Sequence, residues 1–335
     1  VLERSFYAIF IGGANVTSRF SPLLISLSVE LKAGSVSDAA SVTLDDTGGQ
    51  IAMPYPDAEA VIALGWEGGF SAETFRGKVN DVSSHGSRSG RTLTISCTGM
   101  DTGGKTKEAK FKHYDQKSIS DILQESGKAA GIGNVKVDGS IGSQILPYIA
   151  QHNESFVHFG HRIARMFGGT FKIMGDRAVL VPRNEGKSAS GAPLTPIVAT
   201  VGLNLIDWQM APYIGRPRHK ETETRHYDTK KAKWITVSAQ TKDTKALAKA
   251  LARVPTGGEV EAKGRAKSLS KEADREKGGG SVTIDGAPLA QPEAPCILVG
   301  TRPGIDGEYI IDAVHHSIDR SGGFVTGLTL KHPNN

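Results

Sequence analysis

Between residues 23 and 31 the chain alternates: Ile25, Leu27, Val29 and Leu31 are separated by Ser26, Ser28 and Glu30. Successive strand side chains point to opposite faces, so this period of two predicts a strand with one buried face. Residues 6–11 form another strand-like run, closed by Gly12-Gly13-Ala14-Asn15, and Ser21-Pro22 separates the two. The pattern of residues 41–96 then returns, in degenerate form, at 281–331. Ser41-Val42-Thr43-Leu44-Asp45 matches Ser281-Val282-Thr283-Ile284-Asp285, and Val61-Ile62-Ala63-Leu64-Gly65 matches Cys296-Ile297-Leu298-Val299-Gly300. Prolines lie between these runs in both copies: Pro54 and Pro56 in the first, Pro292 and Pro295 in the second. Further on, Gly69 answers Gly304 and Asp81 answers Asp312. Arg88-Ser89-Gly90 answers Arg320-Ser321-Gly322, and Leu93-Thr94-Ile95 answers Leu328-Thr329-Leu330. Matches in one order over some fifty residues predict a duplicated antiparallel β unit.

Between the copies the period changes. Ser118 caps a predicted helix with Ile119, Ile122, Leu123, Ser126 and Ala130 on one side and Asp121 three residues past the cap. A short strand over 134–137 follows. In a second helix, ending at Gly168-Gly169, Phe156, Phe159, Ile163 and Phe167 line one face; His158, His161, Arg162 and Arg165 line the other. A hairpin over 170–174 and 178–182 turns at Gly175-Asp176. The chain thus divides into a β domain over 1–99, an α+β insertion over 100–183, a linker rich in Gly, Ser, Ala and Pro over 184–196, and a second β domain over 197–335. The last begins with strands over 197–201 and 203–210, and residues 220–233 form an exposed loop or long hairpin. It also carries a helical insertion over about 243–277. A first helix there, 243–254, has Leu247, Ala250, Leu251 and Val254 on one side; a second, 259–277, has a stripe of Ala262, Ala266, Leu269 and Ala273. Gly278-Gly279-Gly280 reads as the hinge into the second copy.

The 335 residues suffice for two or three cores. No apolar run approaches the twenty residues of a membrane-spanning helix, and residues 6–11 lack a signal peptide's basic flank and cleavage site. Two cysteines, Cys97 and Cys296, give neither a disulfide framework nor a zinc site; they suit facing core thiols made in a reducing cytoplasm. With 40 Lys and Arg against 35 Asp and Glu, the net charge of +5 permits an acidic partner without requiring one.

Chemistry is sparse. His158 and His161 with His152 could hold a metal, but Arg162 and Arg165 oppose a cation and no acidic ligand stands at the required spacing. Asp45-Asp46 ends a strand and suits a turn. His315-His316 with Asp312 and Asp319 lacks a nucleophile in a strained turn. Gly278-Gly279-Gly280 precedes a strand and therefore offers no helix N-terminus to a phosphate. Lys220, Arg225, Lys230, Lys231 and Lys233, with Tyr227 and Trp234, could grip a single strand, but Glu221, Glu223 and Asp228 interleave them. The reading is of no catalytic site, cofactor or metal.

With these residues placed, the chain resembles the late control D family, the baseplate hub proteins of contractile phage tails, and is similar to the hub part of VgrG-type spikes of type VI secretion. The motif carrying this is Gln151-x-Asn153-Glu154-Ser155-x-x-x-Phe159-x-x-Arg162-x-Ala164-x-x-x-Gly168. Ser37-Asp38, Pro54, Leu64-Gly65-Trp66, Phe75-x-Gly77-x-Val79, Gly300-x-Arg302-Pro303-Gly304-Ile305-Asp306-Gly307-x-Tyr309 and Thr326-x-Leu328 extend it. Gly160 departs from the family, which places a large apolar residue there; Asp57-Ala58 stands where the family has a glycine.

The resemblance implies a mainly β fold: two tail-tube-like antiparallel β-barrel domains plus a small α+β domain. It implies a homotrimer whose six tube-like domains ring a channel, joining the sixfold tail tube to the threefold central spike, with DNA in transit through the lumen. A ring of this kind would carry its positive charge on the periphery. The implied partners are the spike, the tube protein or tube initiator, and other baseplate proteins; the implied place is the virion tail, assembled in the host cytoplasm. The chain's end at Asn335, without a needle, favours a phage or bacteriocin hub over a type VI spike. Gln151, Asn153, Glu154, Ser155, Phe159, Arg162 and Gly168 are expected to be structural or interfacial, with Asn153 or Ser155 as helix cap and Glu154 near the positive helix N-terminus. The alternatives are a tail-associated peptidoglycan hydrolase and a DNA-binding regulator, the second without a recognition-helix motif.

Overall fold

The computed structural model describes residues 4–333 except 35–36, 89, 100–103, 175, 184–185, 187–191, 214–217 and 244. Ser89 and Gly175 of the expected turns, Met100 at the expected start of the insertion and most of the 184–196 linker lie outside the described residues.

The first copy comprises β1 (Ser5–Ile11), β2 (Ala14–Asn15), a one-turn helix α1 (Thr17–Phe20), β3 (Leu24–Lys32), β4 (Ala39–Asp45), β5 (Glu59–Trp66), β6 (Ser71–Ser87) and β7 (Gly90–Thr98). The insertion holds β8 (Lys110–Ser118), α2 (Ile119–Ala129), β9 (Asn134–Val137), α3 (Gly139–Gly142), β10 (Ile145–Glu154), α4 (Phe156–Phe167), β11 (Gly169–Met174) and β12 (Arg177–Pro182). The rest comprises β13 (Ile197–Thr200), β14 (Leu205–Ala211), β15 (Glu221–Asp228), β16 (Lys233–Gln240), β17 (Lys249–Leu251), α5 (Glu259–Arg275), β18 (Gly279–Asp285), β19 (Pro295–Val299), β20 (Gly307–Asp319) and β21 (Gly323–Lys331).

The two copies share one thirteen-stranded sheet. The first runs β3-β4-β7-β6-β5-β1 and the second β14-β18-β21-β20-β19-β13, with β20 also pairing β3 to join them. Topology therefore repeats strand for strand, except that β13 lies parallel to β19 whereas β1 is antiparallel to β5. Two irregularities repeat as well, whereas the shift between Ile62 and Ala63 on the β5–β6 ladder has no counterpart between β19 and β20. Ile25 in β3 and Ile206 in β14 each form a bulge against the next strand, as do Asn80 in β6 and Asp312 in β20. Bulges re-aim a strand and raise its twist, so the two shared ones bend the copies alike at those points.

The ladders correct the sequence equivalences. Val42 pairs with Ile95 and Val282 with Leu328, so Ile95 corresponds to Leu328, two positions from the match made on Leu-Thr. Asp312 corresponds to Asn80 instead of Asp81. Cys296 corresponds to Ala60 instead of Val61: Ala60, Ile62, Cys296 and Leu298 are the buried set. A one-residue slip would turn every buried side chain outward, which is why the ladder outranks the glycine match.

Both halves feed one apolar core, in which Ile9, Leu27, Val42, Leu44, Ile62, Ile95, Val282, Ile284, Leu298 and Leu328 are each at most 1% exposed. Trp66 stitches the copies together, its Nε1 donating to the Gly286 carbonyl at 2.9 Å and its ring 5.6 Å from that of Phe324. Gly278-Gly279-Gly280 is a site of close approach and not a hinge. A Cβ on these glycines would fall 2.3, 2.3 and 2.1 Å from the backbone oxygens of Pro212, Leu330 and Gln209.

The insertion has its own core, built from Ile119, Ile122, Leu123, Phe156, Phe159, Ile163, Phe171 and Leu180. β8 and β10 pair antiparallel, and β9 lies parallel to β12 of the β11–β12 hairpin. Ser118 caps α2, accepting from the Asp121 amide at 3.1 Å while its hydroxyl donates to the Asp121 carboxylate at 2.6 Å.

The helix expected over 243–254 does not form. Asp243 accepts from the amides of Lys245 and Ala246 at 3.1 and 3.2 Å, a local turn that competes with helix initiation. The Ala248 carbonyl and Ala252 amide are then taken up by Lys220 and Glu223. The result is β17, the third strand of the sheet β16-β15-β17, with Leu247 and Val254 exposed. The 220–233 segment is a hairpin arm of that sheet. α5 packs on it through Ala262 and Ala266, whose carbonyls accept from Thr224 and Thr222 at 2.8 and 2.7 Å. Leu269 and Ala273 are only half-buried. Among the described residues no helix is long and apolar enough to cross a membrane.

Candidate interaction site

The motif of residues 151–168 builds one corner, from β10 into α4. Gln151 is buried; its carbonyl oxygen accepts from Ser126 at 3.0 Å and its amide donates to the Glu154 carbonyl at 2.8 Å, closing the corner from both sides. Asn153 adopts φ +51°, a left-handed conformation that asparagine tolerates better than most residues, within the irregularity between His152 and Glu154. Ser155 is the helix cap, accepting from the His158 amide at 3.3 Å. Gly168 ends the helix at φ +69°, a left-handed cap that glycine fills without a Cβ penalty.

Glu154 does more than sit near the helix dipole. Its carboxylate accepts from Arg162 Nε at 2.9 Å and from Arg162 Nη2 at 2.8 Å, a fork-on-fork pair. Arg162 also donates to the Ala150 carbonyl at 2.5 Å and lies 5.2 Å from the Phe159 ring centroid. Phe159 is fully buried and stacks on Tyr114 at 5.9 Å. One arginine therefore ties β10, the helix start and the insertion core. Gly160, the departure from the family, faces Phe171: a Cβ would lie 2.4 Å from that ring.

The basic stripe divides in the structure. Arg162 turns to Glu154, while His158, His161 and Arg165 open onto a cleft of about 520 Å³ between α4 and α5, shared with Arg183, Arg265, Lys271 and Arg275. The cleft is a seam as well: Arg265 and Ser268 donate to the Arg165 carbonyl at 3.0 and 2.9 Å. Burial and the neighbouring Arg165 and His158 charges push the His161 imidazole below its ordinary value, favouring its neutral form. Deeper in, Asp312 receives Arg275 and, at 3.3 Å, Arg183, joining α5 and the end of β12 to the bulge of β20. Burial, then the Arg183 charge, lowers the pKa of Arg275 from its ordinary value. Sequence reasoning missed this junction; the acidic Asp312 inside the apolar run Ile310-Ile311-Asp312-Ala313-Val314 was its signal.

No group of three or more His, Cys, Asp or Glu among the described residues is placed to hold a metal. The residues of the imagined triad do not converge. His316 is buried with Nδ1 3.0 Å from Thr326 Oγ1, Asp312 is engaged by arginines, and Asp319 accepts from Ser321 and its amide at 2.8 Å. Asp45 and Asp46 hold the following turn, accepting from Thr47 and Ile51 amides at 3.0 and 3.2 Å. On the hairpin arm, Glu221 and Glu223 engage Lys249, and the Tyr227 and Trp234 rings meet at 5.5 Å.

The chain belongs to the phage tail baseplate hub (GPD) family, whose model matches residues 35–322. It is 24% identical over 194 residues to the probable baseplate hub protein of Escherichia phage 186, covering 58% of this chain and 49% of that one. It thus spans about half of that relative's length. The tail protein of Neisseria meningitidis MC58 has the same fold, with a TM-score of 0.73 at 14% identity over 98% of this chain and 97% of that one. An E. coli type VI secretion component, described as similar to phage T4 tail proteins gp27 and gp5, shares it at a TM-score of 0.59 and 12% identity, over 97% of this chain and 76% of that one.

Proposed function

We propose that this chain is the hub of a contractile tail: a homotrimer whose duplicated β units make a pseudo-sixfold ring between the sixfold tube and the threefold spike. The observation that carries it is the repetition of one strand order, with two of its bulges, within a single sheet. Three chains with two like units each present six like faces to a tube, while the insertions, one per chain, keep threefold symmetry for a spike. In this reading the domains are 1–99, 100–183 and 197–335, the channel passes DNA, and the insertion lies outside the ring against spike or baseplate proteins.

The motif residues serve assembly by fixing the insertion's shape: Gln151, Asn153, Ser155 and Gly168 set the corner and the helix ends, and Arg162 locks Glu154. A glutamate held by an arginine fork is poorly placed to act as a general acid, so purified protein should leave peptidoglycan uncleaved. The reading also puts the excess Lys and Arg outside the lumen, since a basic lining would hold passing phosphates. Electron cryomicroscopy of the purified assembly tests the reading: it expects a ring of six like lobes around an opening, and compact particles without an opening would contradict it.

A further inference from the structure

The cleft between α4 and α5 carries more positive charge than the fold neutralises. Its walls come from distant parts of the chain, α4 from the insertion and α5 from the helix packed on the β15–β16 hairpin. Among its lining residues, Arg165, Arg183, Arg265, Lys271 and Arg275 stand against one acid, the exposed Glu272. Two of the arginines have acidic partners. Arg275 and Arg183 both reach Asp312, and Arg183 Nε lies 3.6 Å from Glu293. The other two do not: among the described residues neither Arg165 nor Arg265 forms an ion pair, and Arg265 Nη1 donates to a neutral group, the Arg165 carbonyl. Joining α4 to α5 therefore sets unbalanced like charges on opposite walls of a concave space, a repulsion that an anion relieves.

Arg275 points the same way from within. It is 4% exposed, and its Nε and Nη1 are buried without a hydrogen-bond partner among the described residues, as is His161 Nε2. Donors of a charged group are costly to bury unpaired. Burial and the Arg183 charge already lower the Arg275 pKa, and a negative charge in the cleft offsets both.

We propose that this cleft is a binding site for a phosphoryl group, as free phosphate or a small phosphate ester, gripped between Arg165 of α4 and Arg265 of α5. The guanidinium fork suits phosphate and carboxylate oxygens alike, and charge separates the two. Two unbalanced guanidinium groups match a phosphoryl group of about −1.5 to −2 at pH 7, whereas one carboxylate balances only one of them. The volume of about 520 Å³ falls within the range of roughly 300–1,000 Å³ that small-molecule pockets occupy, and Ala164 and the Phe171 ring add an apolar stretch of wall. A nucleic-acid groove instead spreads its cations along a strand. Once bound, the ligand staples α4 to α5, adding to the bonds that Arg265 and Ser268 make to the Arg165 carbonyl. The site lies within one chain and is independent of the ring reading.

Isothermal titration calorimetry of the full chain with inorganic phosphate and with pyrophosphate, at constant ionic strength in chloride, tests the site. At least one of the two should bind once per chain and raise the thermal midpoint, as a ligand of the folded state does. Arg165→Gln and Arg265→Gln should each weaken that binding about tenfold or more, the loss of one charge-assisted contact. Arg225→Gln, an equal charge change on the exposed hairpin arm, should leave it unchanged. The Arg165 side chain has no hydrogen-bond partner among the described residues, so without ligand the midpoint of Arg165→Gln should not fall below that of the wild type. No heat and no midpoint shift with either probe would overturn the proposal, as would binding that Arg225→Gln weakens equally. Tighter binding of hexaglutamate or of a single-stranded oligonucleotide, weakened by the same two variants, would overturn the phosphoryl assignment in favour of an acidic protein segment or a nucleic acid.

Discussion

Val42 and Val282 occupy one position in two copies of a sheet: each is 1% exposed, and each pairs across an antiparallel ladder with a fully buried aliphatic residue, Ile95 and Leu328. The equivalence fixes every other correspondence in the β units.

Arg162 is the main tie of the β10–α4 corner. Arg162→Ala removes a paired fork, a bond to the Ala150 carbonyl and the packing on Phe159, and should destabilise the protein by about 2–3 kcal/mol. Arg162→Lys should recover only part, because an ammonium cannot reproduce the fork. Urea unfolding followed by circular dichroism reads both, and an unchanged midpoint for Arg162→Ala would contradict the role.

Gly160→Ala sets two effects against each other. Alanine favours a helix over glycine by about 1 kcal/mol, whereas overpacking a filled core costs about 1–3 kcal/mol. With Phe171 fully buried and its ring 2.4 Å from the new Cβ, overpacking should win and stability fall. Phe171→Leu should be less harmful in the Gly160→Ala background than alone, a coupling read by a double-mutant cycle.

His316 gives stability a pH dependence. Burial lowers its pKa in the folded chain to about 4, below the unfolded value near 6.5. Between these values the unfolded chain binds more protons, so its contribution is intact above about pH 6.5 and is lost as pH falls toward 4. The slope from this residue is at most about 1.4 kcal/mol per pH unit. His161 and His332, also lowered by burial, act with the same sign. Unfolding midpoints between pH 6.5 and 5 should fall more steeply in the wild type than in His316→Asn; equal slopes would contradict the assignment.

Cys97 and Cys296 should resist thiol reagents. Burial pushes both pKa values up to about 12, so the reactive thiolate is scarce at pH 8 and the sulfurs are shielded. A chromogenic disulfide reagent should label neither in native protein and both in urea; fast native labelling would show that the core opens.

Strand alternation made the β units legible, because a strand half-buried in a sheet writes its period directly into residues such as Leu27, Val29 and Leu31. The equivalence of the copies was legible where side chains repeat, at Val42 and Val282, and slipped at Cys296, where the glycine match misled and only the ladder fixes register. The Leu24-Ile25-Ser26 and Leu205-Ile206-Asp207 runs share a bulge, but three residues were too few to reveal it. β8 and β10 escaped notice because exposed residues such as Lys112, His113, Tyr148 and His152 break their alternation. The 243–254 helix failed since its apolar spacing was outweighed by the Asp243 turn and the edge of β15. At the motif, residue types suggested caps and a dipole partner. The Glu154–Arg162 fork required knowing that the helix turns residue 162 back onto the end of β10.

The absolute mass of the full chain in solution, measured by light scattering alone and with its candidate spike, tests the central claim most directly. The account predicts three times the mass of one 335-residue chain, either alone or once the spike is added. A strict monomer in both conditions would contradict the ring and leave the duplicated sheet without a role in assembly.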